Sequence, residues 1–365
     1  MIKRLGVLTG GGDCPGLNAV LRGVVKTAIM KYGYDVIGFR DSYKGMVLNN
    51  TVELNTDDVS GIIDKGGTIL GTSNRHNPFK FLDKAEGYRK EEDLSDVAVK
   101  NVMSHGIDCM IMIGGDGTLT SARDFARKGL PVIGVPKTID NDLSATDITF
   151  GFMTAVNTAT DAVDKLHTTA EAHQRVMILE VMGRNAGWIA IKAGIAGGAD
   201  IILIPEIPYD IKLVAQKIIE RRKQGKLYSI VVVSEGAKPI GGDVVVNKIV
   251  KDSPDPIKLG GIGNKVADDL DELTGVETRV TVLGHLQRGG TPIPYDRILS
   301  TRYGVEAVEM FNRKEFGKMV SLKGDTITSV SLEKAVEKIK TVDPDGEMVR
   351  IAKSVGVGFG DEKVC

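Results

Sequence analysis

The sequence contains few cysteines, and they follow no pattern. Its 365 residues include three, Cys14, Cys109 and Cys365. An odd and scattered set forms neither a disulfide framework nor the paired spacing of a zinc site, which favours a reducing cytoplasm. The chain runs from Lys3 and Arg4 directly into LGVLTGGG, without the cleavage pattern of a secretory signal. We therefore expect a cytoplasmic protein.

The sequence also lacks an excess of charge and a long apolar run. It has 47 Lys and Arg against 48 Asp and Glu, for a formal net charge of −1. This balance argues against general affinity for nucleic acid or an anionic membrane, so any anion must be bound by a local arrangement. The longest apolar region, 186–208, is interrupted by Lys192 and Asp200. It therefore predicts buried helix and strand, and no membrane span.

Short apolar runs alternate with longer stretches of helical periodicity. The strand candidates are continuous apolar runs, which is typical of parallel strands covered on both faces. They lie at 5–9, 35–39, 109–113, 132–135, 176–180, 201–204, 230–234 and 280–283. The helical patterns lie at 17–31, 118–128, 154–170, 185–196 and 211–224. This order predicts an α/β fold with doubly wound parallel sheets, whereas the Gly, Pro and Asp in 238–260 predict a surface excursion of turns.

Two of the predicted strands lead into glycine-rich loops, TGGGDCPGLNAVLRGVV at 9–25 and IGGDGT at 113–118. Glycine lets backbone N–H groups approach a phosphate, and the start of a helix adds a favourable dipole. In the second loop Asp116 can hold Mg²⁺ and Thr118 can cap the following helix. The alternative for both loops is a tight turn without a ligand. The GGDG core also occurs in NAD kinases and diacylglycerol kinases, so alone it indicates a nucleotide kinase.

A third strand leads into polar residues, in VIGVPKTIDND at 132–142. Of its two carboxylates, Asp140 can accept a proton from a hydroxyl group while Asp142 helps to position magnesium. The alternative is an Asx-turn followed by a helix cap, which Asp and Asn favour.

The motifs GGDCPGLNA, GGTILG, GGDGT, PKTIDND, EVMGR and ETRVTVLGHLQRGG follow one another in this order between residues 11 and 290. Together they closely resemble the 6-phosphofructokinase family. This resemblance implies two doubly wound, Rossmann-like parallel-sheet domains with the active site in the cleft between them. The nucleotide (phosphoryl donor) domain would comprise 1–150 and 288–338, and the sugar-phosphate domain 151–287 and 339–365.

The resemblance also implies a reaction. The enzyme would transfer a phosphoryl group from MgATP to the 1-hydroxyl of D-fructose 6-phosphate, giving fructose 1,6-bisphosphate and ADP in the committing step of glycolysis. Asp140 matches the general base of the family, and Arg184 can face the transferring phosphoryl group. Arg75 and Lys137 would assist at the donor phosphates, although the loop of Arg75 is one residue longer than the commonest family pattern. Asp116 would hold Mg²⁺.

Further site residues are carried over motif by motif. The implied nucleotide-binding residues are Gly12, Arg75, Gly115, Asp116, Gly117 and Thr118. The implied sugar-phosphate residues are Thr138, Asp140, Asp142, Arg175, Met182, Gly183, Arg184, Glu235, Arg279, His285 and Arg288. Arg175 and Arg279 match arginines that reach across from a neighbouring subunit, which implies a homo-oligomer, dimer or tetramer, with a shared active site. Three of the other histidines, His76, His105 and His167, are expected to be structural.

Two positions bear on the phosphoryl donor. Family members that use ATP carry glycine after GGD, as Gly117 here, whereas pyrophosphate enzymes usually carry a second aspartate. Lys137 points the other way, because pyrophosphate enzymes have lysine at this position and a lysine can neutralise a donor phosphate. We give more weight to Gly117, since an added carboxylate would clash with the α-phosphate of ATP whereas lysine does not forbid ATP. The expected donor is ATP, and the alternative is pyrophosphate, within a mixed Gly/Lys subgroup.

Overall fold

The computed structural model describes residues 2–249 and 257–361. The chain forms two compact units. The first unit comprises 1–139, 143–153 and 288–339, and the second comprises 140–142, 154–287 and 340–365. The segment 140–142 belongs to the second unit, while the chain on either side of it belongs to the first.

The elements are numbered in chain order. The strands are β1 Arg4–Thr9, β2 Asp35–Phe39, β3 Thr51–Leu54, β4 Phe81–Asp83, β5 Tyr88–Glu92, β6 Cys109–Gly114, β7 Val132–Pro136, β8 Val176–Val181, β9 Ile201–Leu203, β10 Ser229–Ser234, β11 Val246–Ile249, β12 Ile257–Leu259, β13 Thr278–Val282, β14 Lys318–Lys323 and β15 Thr326–Ser331. The helices are α1 Leu17–Lys26, α2 Tyr43–Leu48, α3 Ser95–Ser104, α4 Asp116–Arg127, α5 Phe152–His173, α6 Trp188–Ala196, α7 Ile211–Lys223, α8 Ile262–Thr274, α9 Pro294–Asn312, α10 Leu332–Ala335 and α11 Glu347–Ser354.

The first unit is built on a seven-stranded sheet in the order β15-β14-β7-β6-β1-β2-β3. Neighbouring strands from β14 to β2 run parallel, whereas the edge strands β15 and β3 are antiparallel to their partners. Strands β6 and β7 are buried along their whole length, which explains why they read as continuous apolar runs. The predicted parallel interior is confirmed, and the two antiparallel edges were not predicted.

The second unit is built on a four-stranded parallel sheet in the order β13-β8-β10-β9. Side chains of the sheet such as Ile178 and Val231 form its core together with apolar residues of α7 and α8, including Val214 and Val266. Strands β8 and β10 end side by side, with Val181 paired to Ser234. Residues that follow these two strands therefore meet at one edge of the sheet.

Some local predictions were wrong in detail. The helix predicted over 17–31 is α1 followed by a turn of π-helix, Thr27–Lys31. Helix α4 begins at Asp116, so Thr118 lies inside the first turn and does not cap the helix. The excursion predicted over 238–260 contains turns, but it also contributes the antiparallel pair of β11 and β12, and its residues 250–256 lie outside the described residues. Across the described part of the chain, no helix is long and apolar enough to span a bilayer.

Candidate active site

In the first unit, three neighbouring parallel strands end at the same edge of the sheet. The Gly10 N–H donates to the Ile113 carbonyl at 2.8 Å, and the Lys137 N–H donates to the Gly114 carbonyl at 2.9 Å. These bonds join the residues that follow β1, β6 and β7. The structure therefore brings together the two glycine-rich loops and the start of the KTIDND motif, at the kind of strand end where open α/β sheets bind ligands.

The chain's own packing requires glycine at some positions of these loops but not at all of them. A Cβ on Gly10 would lie 2.7 Å from Thr118 Oγ1, and a Cβ on Gly114 would lie 2.3 Å from Thr118 Cβ. A Cβ on Gly115 would lie 3.2 Å from the Lys137 carbonyl oxygen. At Gly117, in contrast, a Cβ would have no atom of the surrounding described residues within 4 Å. Packing therefore explains the glycines at 10 and 114 and leaves Gly117 to be explained by something else.

Two cationic side chains contact the first glycine-rich loop. Lys137 is buried, with 3% exposure, and its ammonium group donates to the Gly12 carbonyl at 2.5 Å. Arg288 donates from Nη1 to the Asp13 carbonyl at 3.2 Å. The structure thus places Arg288 in the first unit and against this loop, whereas His285 belongs to the second unit.

Cys14 lies in the same loop but is chemically protected. Its thiol is fully buried and contacts the Phe150 carbonyl at 3.7 Å. Burial raises the pKa of Cys14 to about 12, although Lys137 partly opposes the shift. Because the thiolate is the nucleophile, Cys14 is an inert packing residue.

The loop that carries Arg75 is bonded to the first glycine-rich loop. Thr72 Oγ1 donates to the Gly11 carbonyl at 2.7 Å, and the Gly11 N–H donates to the Ser73 carbonyl at 3.0 Å. The Arg75 N–H donates to Ser73 Oγ at 3.2 Å, while its side chain is exposed. Although this loop is longer than the commonest family pattern, the structure brings Arg75 and the glycines of the first loop into one hydrogen-bonded arrangement.

His76 supports the Arg75 loop through a chain of polar contacts. Its Nδ1 lies 2.7 Å from Ser73 Oγ, its Nε2 lies 3.1 Å from Asp83 Oδ2, and that carboxylate also pairs with Lys44 at 2.9 Å. Burial lowers the pKa of His76, which favours the neutral ring. The Nε2–H group then donates to Asp83, and Nδ1 accepts from the Ser73 hydroxyl. Sequence reasoning missed this connection, because Asp83 and Lys44 follow no recognisable spacing.

In the second unit, the predicted sugar-phosphate residues Met182, Gly183, Arg184 and Glu235 follow β8 and β10. Ser234 Oγ donates to the Gly183 carbonyl at 2.6 Å, and the Glu235 N–H donates to the Val181 carbonyl at 2.9 Å. Gly183 has a φ of 137°, and a Cβ there would lie 2.4 Å from Ser234 Oγ. Close packing of the ends of β8 and β10 therefore requires glycine at 183. The same packing places Arg184 and Glu235 on neighbouring segments.

The segment 140–142 is held in an unusual backbone conformation. Asn141 is buried and has a φ of 52°, in the left-handed region, between the half-buried Asp140 and Asp142. Lys340 contacts both later residues, since its ammonium group donates to Asn141 Oδ1 at 3.1 Å and its N–H donates to the Asp142 carbonyl at 2.8 Å. Sequence reasoning missed Lys340, because nothing local marks a lysine so far along the chain. Thr138, which precedes this segment in the first unit, is buried and accepts at its carbonyl from Thr149 Oγ1 at 2.6 Å.

The two arginines expected to serve a neighbouring subunit lie together. Arg175 and Arg279 both form ion pairs with Glu277, a residue that sequence reasoning did not identify. The hydrogen bond from Arg175 holds the pKa of Glu277 below its usual range.

His285 is exposed in a short 3-10 turn, Gly284–Arg288.

Glycine-rich loops at the carboxyl ends of parallel strands define an α/β protein built to bind phosphate groups. Comparisons with known proteins identify the family: a family model described as Phosphofructokinase matches residues 4–311. The chain belongs to the phosphofructokinase family.

Individual relatives agree with this assignment. The chain is 60% identical over 362 residues to ATP-dependent 6-phosphofructokinase 2 of Clostridium perfringens, covering 99% of both chains. It is 49% identical over 358 residues to pyrophosphate--fructose 6-phosphate 1-phosphotransferase of Streptomyces coelicolor, covering 98% of this chain and all of the relative. Its structure is similar to a Pichia pastoris phosphofructokinase crystallised in the T-state, with a TM-score of 0.80 and 33% identity. That comparison covers 97% of this chain but only 39% of the larger Pichia chain.

Proposed function

We propose that this protein is an ATP-dependent 6-phosphofructokinase. It transfers the γ-phosphoryl group of ATP to the 1-hydroxyl of D-fructose 6-phosphate and releases fructose 1,6-bisphosphate and ADP. The observation that carries the reaction is the 60% identity to an ATP-dependent 6-phosphofructokinase over nearly the full length of both chains. A cytoplasmic location stays a prediction from the cysteine pattern.

The proposed roles follow from what each side chain can do. Asp140 takes the proton from the 1-hydroxyl as that oxygen forms its bond to the γ-phosphorus and the bond from phosphorus to the leaving oxygen of ADP breaks. In such a transfer the protein forms little covalent chemistry of its own. Most of the catalysis comes from positioning the two substrates and from neutralising the charge on the transferred phosphoryl group. Arg184 and Arg75 suit that work because a guanidinium group is planar and permanently charged. Thr138, Met182, Gly183, Glu235, His285 and Arg288 bind the sugar phosphate in this proposal.

Magnesium fits the residues at the second glycine-rich loop. Asp116 is the first residue of α4, and its exposed carboxylate stands beside backbone that can approach a phosphate. Among the residues that the structure describes, no group of three His, Cys, Asp or Glu side chains could hold a metal ion. Protein sites commonly hold Mg²⁺ through one or two carboxylates together with water and substrate phosphates, and Asp116 supplies one such carboxylate. Bound there, Mg²⁺ would neutralise charge on the donor phosphates.

The choice of ATP over pyrophosphate is supported by Gly117 and by the setting of Lys137. Glycine inside a helix costs roughly 0.5–1 kcal/mol relative to alanine, and the space around Gly117 in the described residues imposes no need for it. A ligand that occupies this space, such as the α-phosphate of ATP, explains why the position is glycine. Lys137, which alone favours pyrophosphate, uses one of its protons to bind the Gly12 carbonyl and so has a structural role with either donor.

A homo-oligomer, dimer or tetramer, with a shared active site is part of the proposal. Arg175 and Arg279 are held on one surface by Glu277, which fixes their guanidinium groups in place without burying them completely. Such a pair is suited to a phosphate group offered by a neighbouring copy.

A direct assay tests the function. Purified protein with fructose 6-phosphate and Mg²⁺ is supplied with either ATP or pyrophosphate, and fructose 1,6-bisphosphate is measured. We expect a higher kcat/KM with ATP, and faster turnover with pyrophosphate would contradict the assignment. Asp140→Asn should lower kcat by at least about 100-fold, the scale of general base catalysis, with little change in the KM for the sugar. Asp268→Asn, an exposed position on α8, is the matched control and should keep full activity.

A further inference from the structure

We propose that Lys340 is a positioning residue for the catalytic segment 140–142 and that it acts through Asn141. This inference rests on the proposed function, because it concerns the base Asp140 of that reaction. Lys340 lies in the C-terminal segment of the second unit, far along the chain from the residues it contacts. None of the motifs that identify the family includes it.

The first argument is the geometry of the contact. The Lys340 ammonium group donates to Asn141 Oδ1 at 3.1 Å, and the Lys340 backbone N–H donates to the Asp142 carbonyl at 2.8 Å. One residue thereby holds a side chain and the neighbouring backbone of the same short segment. Two bonds to consecutive residues fix the direction of the segment, where a single bond would fix only its distance.

The second argument is the conformation that these bonds hold. Asn141 has a φ of 52°, in the left-handed region, which costs most residues about 1–2 kcal/mol and asparagine less. Such a conformation persists only where the surroundings determine it. Because Asp140 and Asp142 flank Asn141, a return of Asn141 to an ordinary φ would turn both carboxylates. The bond to Lys340 therefore bears directly on where the base points.

The third argument is that Lys340 is itself held in place. Trp188 Nε1 donates to the Lys340 carbonyl at 2.9 Å, and the Lys340 ammonium group lies 5.8 Å from the centre of the Trp188 ring, within the range of a cation–π contact. Two residues further on, the Val342 N–H donates to Glu206 Oε1 at 2.7 Å, and the same oxygen accepts from the Gly187 N–H at 3.0 Å.

These contacts join three pieces of the second unit. The C-terminal segment is bonded to the start of α6, which follows the Arg184 motif, and it is also bonded to the segment of Asp140. Because its position is fixed by these contacts, the Lys340 side chain can restrict the conformation of Asn141. A mobile lysine would only weaken the electrostatic repulsion between nearby carboxylates. Lys340 thus sets the mutual placement of two segments that both serve the proposed reaction.

The test is a double-mutant cycle measured as kcat. Lys340→Met keeps the length and the apolar stem of the side chain but removes the donor. Asn141→Gly removes the acceptor but allows the left-handed backbone, because glycine adopts positive φ freely. Since a misplacement of about 1 Å can cost 10²-fold in rate, we expect Lys340→Met to lower kcat by about 10- to 100-fold, with each KM changed by less than about threefold. Lys340→Arg should restore part of the loss.

The double variant decides whether the effect passes through Asn141. If it does, Lys340→Met should lower kcat by less than about threefold in the Asn141→Gly background. Equal losses in both backgrounds would overturn the inference, and so would an unchanged kcat in Lys340→Met. If Lys340→Met does not fold, the same cycle is run with Lys340→Leu, which also lacks the donor, and the same two outcomes decide. Lys338→Met, an exposed lysine two positions earlier, is the control and should keep wild-type kcat.

Two further readouts separate this inference from its alternatives. A purely structural role for Lys340 predicts a lower unfolding midpoint with unchanged kcat in the folded protein, so the thermal midpoint of each variant is measured beside its kinetics. Wild-type protein without activity on fructose 6-phosphate would refute the proposed function. Active wild-type protein with an uncoupled cycle would refute only the role of Lys340.

Discussion

Replacing Gly117 by alanine or aspartate tests whether this glycine serves the stability of the protein or the binding of the phosphoryl donor. In the described structure nothing outside its own helix surrounds a Cβ at this position within 4 Å, so the Cβ that either substitution adds has room. Because Gly117 lies in the first turn of α4, alanine should stabilise the helix by less than the roughly 0.5–1 kcal/mol that applies in a helix interior. Aspartate has a lower helix propensity than alanine, but in the first turn of a helix its charge contributes about 0.3–1 kcal/mol through the dipole. Repulsion from Asp116 offsets part of that gain.

The effect on function should be opposite to the effect on stability. A carboxylate facing a phosphate that carries the same sign of charge costs several kcal/mol. At about 3 kcal/mol the kcat/KM for ATP would fall about 100-fold in Gly117→Asp, since each 1.36 kcal/mol is tenfold. Gly117→Ala adds bulk without charge and should lose less than about tenfold. Pyrophosphate lacks the α-phosphate of ATP that this carboxylate would face, so the ratio of pyrophosphate to ATP activity should rise in the aspartate variant.

The assay pairs kinetics with unfolding. The kcat/KM for ATP and for pyrophosphate is measured at saturating fructose 6-phosphate, and the free energy of unfolding is measured for the same preparations. The reasoning fails if Gly117→Asp keeps its kcat/KM for ATP within about twofold, because the open space would then not be used by the nucleotide. It also fails if Gly117→Ala is destabilised by more than about 1 kcal/mol, because the glycine would then serve the fold.

Three further outcomes are expected. Glu315 accepts hydrogen bonds from Arg313 and neighbouring groups, which lower its pKa to about 2. The stability that this carboxylate contributes is therefore present above about pH 4.5 and is lost as the pH falls toward 2. In urea unfolding, Glu315→Gln should lower the free energy of unfolding by about 1–2 kcal/mol at pH 7, a figure discounted for partial exposure, and by less at pH 3.5. Cys14 should resist alkylation at pH 8 in the native protein and react only after unfolding, as peptide mapping can show, and rapid native labelling would contradict its buried setting. His76→Ala should raise the KM for ATP several-fold by loosening the loop of Arg75, whereas an unchanged KM would show that the Ser73 contact does not support that loop.

The sequence predicted the parts of the fold whose cause is local. Strands such as β6 and β7 are covered on both faces, so every residue is apolar and the run is visible without knowledge of its neighbours. The edge strands β3 and β15 are only partly buried and carry polar residues, so they left no such run. The glycine-rich loops were visible because close packing against Thr118 requires glycine at 10 and 114, and a φ of 78° favours it at 11.

The contacts of the candidate site were harder to predict, since they join distant positions. Lys340 contacts Asn141 from 199 residues away, and Arg288 contacts the Asp13 carbonyl from 275 residues away. Nothing in the local pattern of either residue encodes its partner. Motif resemblance proposed a role for Arg288 but not its bond to the first glycine-rich loop, and it proposed no role for Lys340. His76 was expected to be structural, and only the structure relates it to Arg75.

The order of segments along the chain has a consequence for how such an enzyme can change during evolution. The two units alternate through 1–139, 140–142, 143–153, 154–287, 288–339 and 340–365, so each is assembled from three separate pieces. No single crossover between related genes can exchange one unit and leave the other intact. In the proposed function the first unit binds the phosphoryl donor and the second binds the sugar, so one crossover cannot exchange donor preference alone. Point substitutions at positions such as Gly117 offer a route to a new donor that leaves the order of the segments unchanged.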